Sequence, residues 1–298
     1  MEHALHCSLL FKAIVNLTIQ CLTSSMAADF AAIGAGCDVT LWWLGQAGFA
    51  IRAGGSRILI DPYLSDSLAQ KYAGTRFPHI RMMPPPLTVD QLPPLDWVLC
   101  THAHSDHMDP GTLTALAASQ PLCRFVVPRA EKAKSMQRGL PPDRTVLVNA
   151  GEHLALADGL ELDVLPSAHE HLCTNDAGEH HYLGFVLDLG GTRIYHSGDA
   201  APFPGWISLL RQQRIDVALL PVNGRDEQRR CNGIPGNTTL EEALALCRES
   251  GIAWMIAHHF GMFDFNTVDV AVLTAAAAQS QSPRCIVPDV TRCLVIQQ

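Results

Sequence analysis

Three imidazoles and a carboxylate occupy six consecutive positions in the stretch Thr101-His102-Ala103-His104-Ser105-Asp106-His107. Imidazole nitrogen and carboxylate oxygen are donors suited to Zn, Mn or Fe, and no C-x-x-C pair lies nearby to suggest a closed thiolate site. The stretch therefore reads as the core of a two-metal centre with open coordination positions, in preference to a solvated histidine-rich loop. Its flanks restrict the folds that can carry it. Leu95 to Cys100 is a short apolar run of β-branched and aromatic character, a buried strand that ends just before Thr101. Asp109-Pro110 then supplies an N-cap and a proline at the first helical position, opening a helix over Thr112 to Ser119. Strand, ligand loop and helix follow in order.

The rest of the chain repeats this alternation. Phe49 to Ile58 is echoed by Phe185 to Ile194, each an alternating strand, a Gly-Gly turn and a second strand, and so a hairpin by its turn chemistry. Helices are predicted over Pro128 to Arg138, over Thr238 to Ser250 behind a Thr238-x-x-Glu241 capping box, and from about Thr267 to Ala278. Strands alternating with helices give an α/β layered sandwich. Leu64 to Pro94, with Pro84-Pro85-Pro86 and Pro93-Pro94, has no sustained period. So long an irregular segment in a compact domain is usually functional, and here it reads as an active-site cover.

At 298 residues and 48% hydrophobic, the chain can bury a large core in one domain or in two packed halves. The domain is expected over residues 38–298. Residues 1–37 read as an N-terminal extension lacking settled structure, with Met26 as the initiator. The loose apolar stretch from Ala4 to Leu22 is too interrupted for a membrane span or a signal peptide. A formal charge of −8, from 21 basic and 29 acidic residues with no Lys/Arg run, argues against a nucleic-acid partner. Ten scattered cysteines fit the reduced thiols of a cytoplasmic protein. Oligomeric state is open, and a homo-oligomer is compatible with the sequence.

Three more strand ends carry metal-ligand side chains. Leu160 to Leu165 leads into Pro166-Ser167-Ala168-His169, Arg193 to His196 into Ser197-Gly198-Asp199, and Ile252 to Ala257 into His258-His259-Phe260-Gly261. Asp61, also at a strand end, is read either as a hydrogen-bonding support for the site or as an ordinary turn-initiating Asp-Pro. Asn223-Gly-Arg225-Asp226-Glu-Gln-Arg229-Arg230 follows a strand from Val217 to Leu220. Asn223, Arg225 and Arg229 are thereby candidates to hold an anionic substrate through bidentate hydrogen bonds, the alternative being a solvated charged loop. Arg76 and Arg81 are further candidates.

The order H-x-H-x-D-H, then His, then G-D, then His resembles the metallo-β-lactamase superfamily. Trp42-Trp43-Leu44-Gly45-Gln46-Ala47-Gly48, Ile60-Asp61-Pro62, Tyr195-His196-Ser197-Gly198-Asp199 and Pro221-Val222-Asn223-Gly224-Arg225-Asp226 are similar to the branch containing L-ascorbate 6-phosphate lactonase. The resemblance implies a four-layer αββα sandwich. It further implies that His102, His104 and His169 hold one divalent metal, that Asp106, His107 and His259 hold another, and that Asp199 bridges them. His259 is preferred to His258 because the family's ligand precedes an aromatic residue and glycine. With two Zn or Mn ions, an activated hydroxide would open a phosphorylated or acidic sugar lactone, Asp106 and Asp199 serving as catalytic carboxylates. A phosphodiesterase on the same scaffold and a non-catalytic, metal-stabilised binding module are the competing readings.

Overall fold

In strand β2 (Val39–Gly45) every residue is buried, and the side chains still divide with the strand's period of two. Val39, Leu41 and Trp43 join a core with Val164, Phe185 and Leu187. Trp42 and Leu44 join another with Phe30, Leu113 and Leu116. One strand thus builds both faces of a sheet, one packed on a second sheet and one packed under helices. The computed structural model describes residues 15–32 and 38–297.

The first sheet has eight strands, in the spatial order β1 (Asn16–Cys21), β17 (Arg292–Gln297), β2, β3 (Gly48–Ala53), β4 (Ser56–Ile60), β5 (Trp97–Leu99), β6 (Arg124–Pro128) and β7 (Thr145–Val148). The second has seven, in the order β16 (Arg284–Ile286), β15 (Trp254–His258), β14 (Val217–Pro221), β13 (Thr192–His196), β12 (Leu183–Leu189), β9 (Leu160–Pro166) and β8 (His153–Ala157). Each sheet has an antiparallel part and a parallel part: pairing is parallel from β4 through β7 and from β13 through β16. A short hairpin of β10 (Ala168–His169) and β11 (His171–Leu172) follows β9. The helices are α1 (Met26–Ala31), α2 (Ser67–Lys71), α3 (Pro110–Ser119), α4 (Lys132–Gln137), α5 (Trp206–Gln213), α6 (Glu227–Cys231), α7 (Leu240–Ser250) and α8 (Val270–Gln279). Two mixed sheets with helices outside form the αββα sandwich.

The Gly-Gly echo is the pair of hairpins β3–β4 and β12–β13, one in each sheet. Both central residues of each turn have left-handed φ, 55° and 86° at Gly54 and Gly55, 66° and 95° at Gly190 and Gly191, as a two-residue turn matched to strand twist requires.

Three expectations change. Residues 1–37 do not all stand outside the domain: β1 pairs with β17 over six positions, and Met26 and Phe30 are buried in the second core, Phe30 lying 5.3 Å from Trp42 in an edge contact. A polar-interrupted apolar stretch is what an edge strand with one inward residue, Leu17, looks like in sequence. Residues 1–14 and 33–37 lie outside the described residues. The capping box of α7 is Thr239 with Glu242, one position later than predicted, because the Thr238 hydroxyl donates instead to Pro221 O at 2.5 Å. The helix predicted from Pro128 divides into a 3₁₀ turn, Arg129–Glu131, and α4.

Strand direction is what positions the site. Asp61 follows β4, His102 to His107 follow β5, Asp199 follows β13 and His259 follows β15, all at carboxyl ends of the parallel parts. β9 runs the same way as β13, since both are antiparallel to β12, so His169 arrives at the same edge. Ligand crevices in α/β sheets form at such ends.

Candidate metal centre

His102, His104, His169 and Asp199 each present a ligand atom within 4.8 Å of the others, and Asp106, His107 and His259 form a second such group. Asp199 stands between the groups, with Oδ1 3.2 Å from His107 Nε2 and Oδ2 3.1 Å from His259 Nε2 and 3.7 Å from His169 Nε2. Seven residues chosen in sequence from four strand ends thus meet in one place. Between the neighbours, His259 faces Asp106, at 3.8 Å. His258 turns into the core, stacked on His196 at 4.9 Å and edge-on to Phe49.

Asp61 organises two of the imidazoles. Fully buried, it accepts from Thr101 N at 2.8 Å, Thr101 Oγ1 at 2.6 Å and His107 Nδ1 at 2.7 Å. Because the threonine hydroxyl gives its proton to Asp61, its oxygen accepts from His102 Nδ1 at 3.0 Å. Both histidines then carry the proton on Nδ1 and aim Nε2 into the cluster, and both Nε2 atoms are buried without a hydrogen-bond partner. Backing histidine ligands by a carboxylate in this way fixes ring and tautomer. The turn reading of Asp61 gives way to the supporting one.

The electrostatics call for a cation. Burial holds His102 well below the ordinary imidazole range, reinforced by His107 and His104, and takes His169 down to about 4, so both present neutral lone pairs. Burial also opposes ionisation of Asp199, but His259 and His107 outweigh it and keep its carboxyl well below the usual range. For His107, burial is outweighed by Asp199, Asp61 and Asp106, which hold it well above the ordinary value. A group of carboxylates that draws a proton onto a fully buried imidazole has a demand for positive charge. Orphaned nitrogens on His102, His107 and His169 and an orphaned Asp199 Oδ1 provide donors, and buried polar atoms are rarely left so. The residues fit divalent metal ions.

Several supporting residues were assigned no role from the sequence, although Gln46 lies in the Trp42 to Gly48 motif. Gln46 is buried, and its amide, as oriented, donates to Asp106 Oδ2 at 2.8 Å and lies 3.0 Å from His259 Nε2. Its backbone oxygen accepts from His259 N at 2.8 Å. Arg138 holds both ends of the ligand loop, donating to Ala103 O and Met108 O, each at 2.6 Å. Tyr182 packs its ring 5.3 Å from both His102 and His169. Gln46, Asp61 and His259 all have left-handed φ (51°, 45° and 61°), a cost that surrounding contacts must hold in place. Only glycine fits at 198, where φ is +61° and a Cβ would lie 2.7 Å from Thr101 Oγ1. That close approach joins the Asp199 loop to the His102 loop.

The expected substrate contacts do not converge. Arg225 makes a two-pronged pair with Glu242, 2.6 Å at each prong, and donates to Asn237 O. It binds the residue that caps α7 and does not line the cavity over the cluster. Asn223 is buried and bonded to Asn266 and Asn237. Arg229 is held by Asp226, Asn223 O and Asn266 and lines a smaller, adjacent cavity. The main cavity has a volume of about 480 Å³, with His104, Asp106, His169, Asp199 and His259 in its lining. Arg76 is its one Lys or Arg among the described residues. Arg81 donates to Tyr63 O, Ser65 O and Met83 O, bracing the irregular segment.

His258 supplies a pH-dependent prediction. Burial, followed by the nearby His196 and His259, holds it well below its ordinary value. Below about pH 6.5 the unfolded chain takes up a proton that the folded one refuses. Its contribution to stability is therefore complete above that pH and is lost as pH falls. In metal-free protein, the urea midpoint should drop between about pH 7.5 and 5, and less so in His258→Phe. Equal drops in both proteins would contradict this.

Comparison with known proteins supplies the remaining findings. The family model for the beta-lactamase superfamily domain matches residues 56–260. The chain is 32% identical over 184 residues to a UPF0173 metal-dependent hydrolase of Pyrobaculum aerophilum, covering 60% of this chain and 70% of that one. It is 32% identical over 231 residues to another from Myxococcus xanthus, covering 74% and 70%. Among solved structures, isothiocyanate hydrolase from Delia radicum gut bacteria matches with a TM-score of 0.69 at 18% identity, covering 85% of this chain and 97% of that chain. A metallo hydrolase from the archaeon Ignicoccus hospitalis matches with a TM-score of 0.63 at 20% identity, covering 88% and 99%. Both share the fold.

Proposed function

The chain belongs to the beta-lactamase superfamily, among its UPF0173 metal-dependent hydrolases, and from that premise we propose that it opens a small lactone at a binuclear centre. The observation that carries the reading is the position of Asp199 between two groups of donors on the floor of an open cavity. His102, His104 and His169 would hold one ion, Asp106, His107 and His259 the other, and Asp199 would bridge. Two such ions, zinc or manganese, would supply Lewis acidity toward the substrate's carbonyl oxygen, making its carbon more electrophilic, and would make hydroxide available at neutral pH.

The chain's own groups do the rest. Asp106 lines the cavity. Burial opposes its ionisation, but His107 and His259 prevail and keep its pKa low. It is thus ionised at neutral pH, the state from which a carboxylate can take up a proton, and Gln46 orients it. Asp61 holds His107, and through Thr101 His102, in the ligating tautomer. For an acidic lactone, Arg76 is the cation to meet a carboxylate; Arg225 and Arg229 are occupied elsewhere, which weakens the case for a phosphate clamp.

No helix of the described residues is long and apolar enough to cross a membrane. Free thiols at Cys100, Cys123 and Cys247, all buried, support a cytoplasmic location, with a small acidic molecule as the partner.

The test is hydrolysis of L-ascorbate 6-phosphate, its unphosphorylated lactone and a generic phosphodiester by protein reconstituted separately with Mn and Zn. Lactone opening lost in His102→Ala is the expected result. Cleavage of the diester alone would move the chain to the phosphodiesterase reading, and no turnover at full metal loading would favour a binding module.

A paired substitution checks the cation. Arg76→Ala should raise KM for an acidic lactone about tenfold, the scale of one charge-assisted hydrogen bond. Arg225→Ala should leave that KM alone and cost at most about 1 kcal/mol of stability, because its pair with Glu242 is partly solvated. The reverse pattern in KM would restore Arg225 as a substrate contact.

A further inference from the structure

The cavity over the metal cluster has one wall that the hydrolase reading does not use. Tyr72, Phe77 and His79, from the irregular segment before β5, meet Phe263 and Phe265, from the loop after β15, and all five line the cavity. The Tyr72 and His79 rings stack at 4.2 Å, His79 meets Phe265 edge-on at 4.7 Å, and Phe77 lies 5.0 Å from Phe265. The wall is anchored: Phe263 belongs to a small third core with Tyr63, Leu68 and Met262, against which Tyr72 and Phe265 pack. His79 is held in a left-handed conformation, φ 53°, and its Nδ1 donates to Phe77 O at 2.6 Å. Burial lowers its pKa, so it adds a flat neutral ring to the wall.

Aromatic rings kept at a cavity surface, rather than closed into a core, retain π-faces and edges for a guest ring, and such pairs contribute beyond the area they bury. A cavity of about 480 Å³ is in the size range of small-molecule sites, which are commonly apolar with a few polar groups that fix orientation. Here the polar groups are the His/Asp donor cluster on the floor and, around it, Arg76, Thr75, Ser105, Asn232 and Asn266, none of which belongs to the aromatic wall. Sugar hydroxyls placed against the Phe77 and Phe265 rings would lose water without finding partners.

We propose that this wall selects the substrate, and that the hydrolysed ester or lactone carries a flat apolar ring beside its carbonyl instead of a phosphorylated sugar. The inference rests on the hydrolase reading of the same site. The ring would lie against Phe265 and His79 while the carbonyl reaches toward Asp106 and Asp199.

The test has two readouts. The ring-opened product of dihydrocoumarin, 3-(2-hydroxyphenyl)propionate, is titrated calorimetrically into metal-loaded wild type, Phe265→Ala and the milder Phe77→Leu, beside gluconate. In parallel, kcat/KM is measured for dihydrocoumarin, δ-valerolactone and glucono-δ-lactone. Wild type should bind the aryl acid and not gluconate, and Phe265→Ala should weaken that binding about tenfold, as loss of a packed ring surface does. The ratio of kcat/KM for dihydrocoumarin over δ-valerolactone should fall in the same variant by a similar factor, with a smaller fall in Phe77→Leu. Preference for gluconate and glucono-δ-lactone, or unchanged aryl binding in both variants, overturns the proposal. Aryl binding that depends on Phe265 while no lactone is opened leaves the wall standing and removes the lactonase reading, so the two failures are distinguishable.

Discussion

Replacing Asp199 by alanine is expected to remove metal and turnover together, with kcat/KM lowered roughly a thousandfold or more. An ion's stabilisation of developing charge amounts to several kcal/mol, and each 1.4 kcal/mol, approximately, is a factor of ten in rate. Asp199 belongs to the donor group of His102, His104 and His169 and reaches the other, 3.2 Å from His107 Nε2 and 3.1 Å from His259 Nε2. Without it, the first group keeps its imidazoles and loses its carboxylate, and the second loses the anion beside His107 and His259. His107, which Asp199 helps to hold above the ordinary imidazole range, should then titrate lower in metal-free protein. Metal content by elemental analysis, steady-state kinetics and the His107 titration by NMR check the three parts. An Asp199→Ala protein that kept two ions and its rate would end the binuclear proposal.

Substitution of Asp61 should have the next largest effect, and its two forms should separate structure from ligation. Alanine leaves the Thr101 amide, the Thr101 hydroxyl and His107 Nδ1 without their acceptor in a fully buried position. At about 1–3 kcal/mol for each buried orphan, softened by relaxation, the loss is on the order of 3–5 kcal/mol. A fall of the melting temperature by about 10 °C is its calorimetric sign. Asparagine keeps one oxygen for Thr101 and turns an NH₂ toward His107 Nδ1. The His107 proton is driven to Nε2, the atom that faces Asp199, and a ligand lone pair is lost. Asp61→Asn should therefore unfold at a higher temperature than Asp61→Ala yet bind metal about 10–100-fold more weakly than wild type, as removed outer partners of ligating histidines do. Equal metal affinity in Asp61→Asn and wild type would show that Asp61 serves the fold alone.

The residues that cluster were legible in sequence because metal chemistry admits few side chains and the fold delivers them at strand ends. His102, His104, Asp106 and His107 sit in one motif, and His169, Asp199 and His259 each follow an apolar run. The supporting residues were not legible. Gln46, Arg138 and Tyr182 reach the site from separate parts of the chain through an amide, a guanidinium and a ring face, and even the motif that contains Gln46 does not announce such contacts. The arginines of the 223–230 loop misled for a related reason. Composition shows that a guanidinium is present, and only the neighbouring Glu242, in the first turn of α7, shows that it is already bound.

By itself the sequence determined the sandwich, its two Gly-Gly hairpins and which His and Asp residues stand at the strand ends, because hydrophobic period, turn chemistry and side-chain type are local properties. Only the tertiary structure decided between His258 and His259, joined β1 to the sheet, took Arg225 away from the cavity and assembled an aromatic wall from residues 72–79 and 263–265. Each of those outcomes depends on which distant surface a side chain meets, and that is set when the two sheets close on one another.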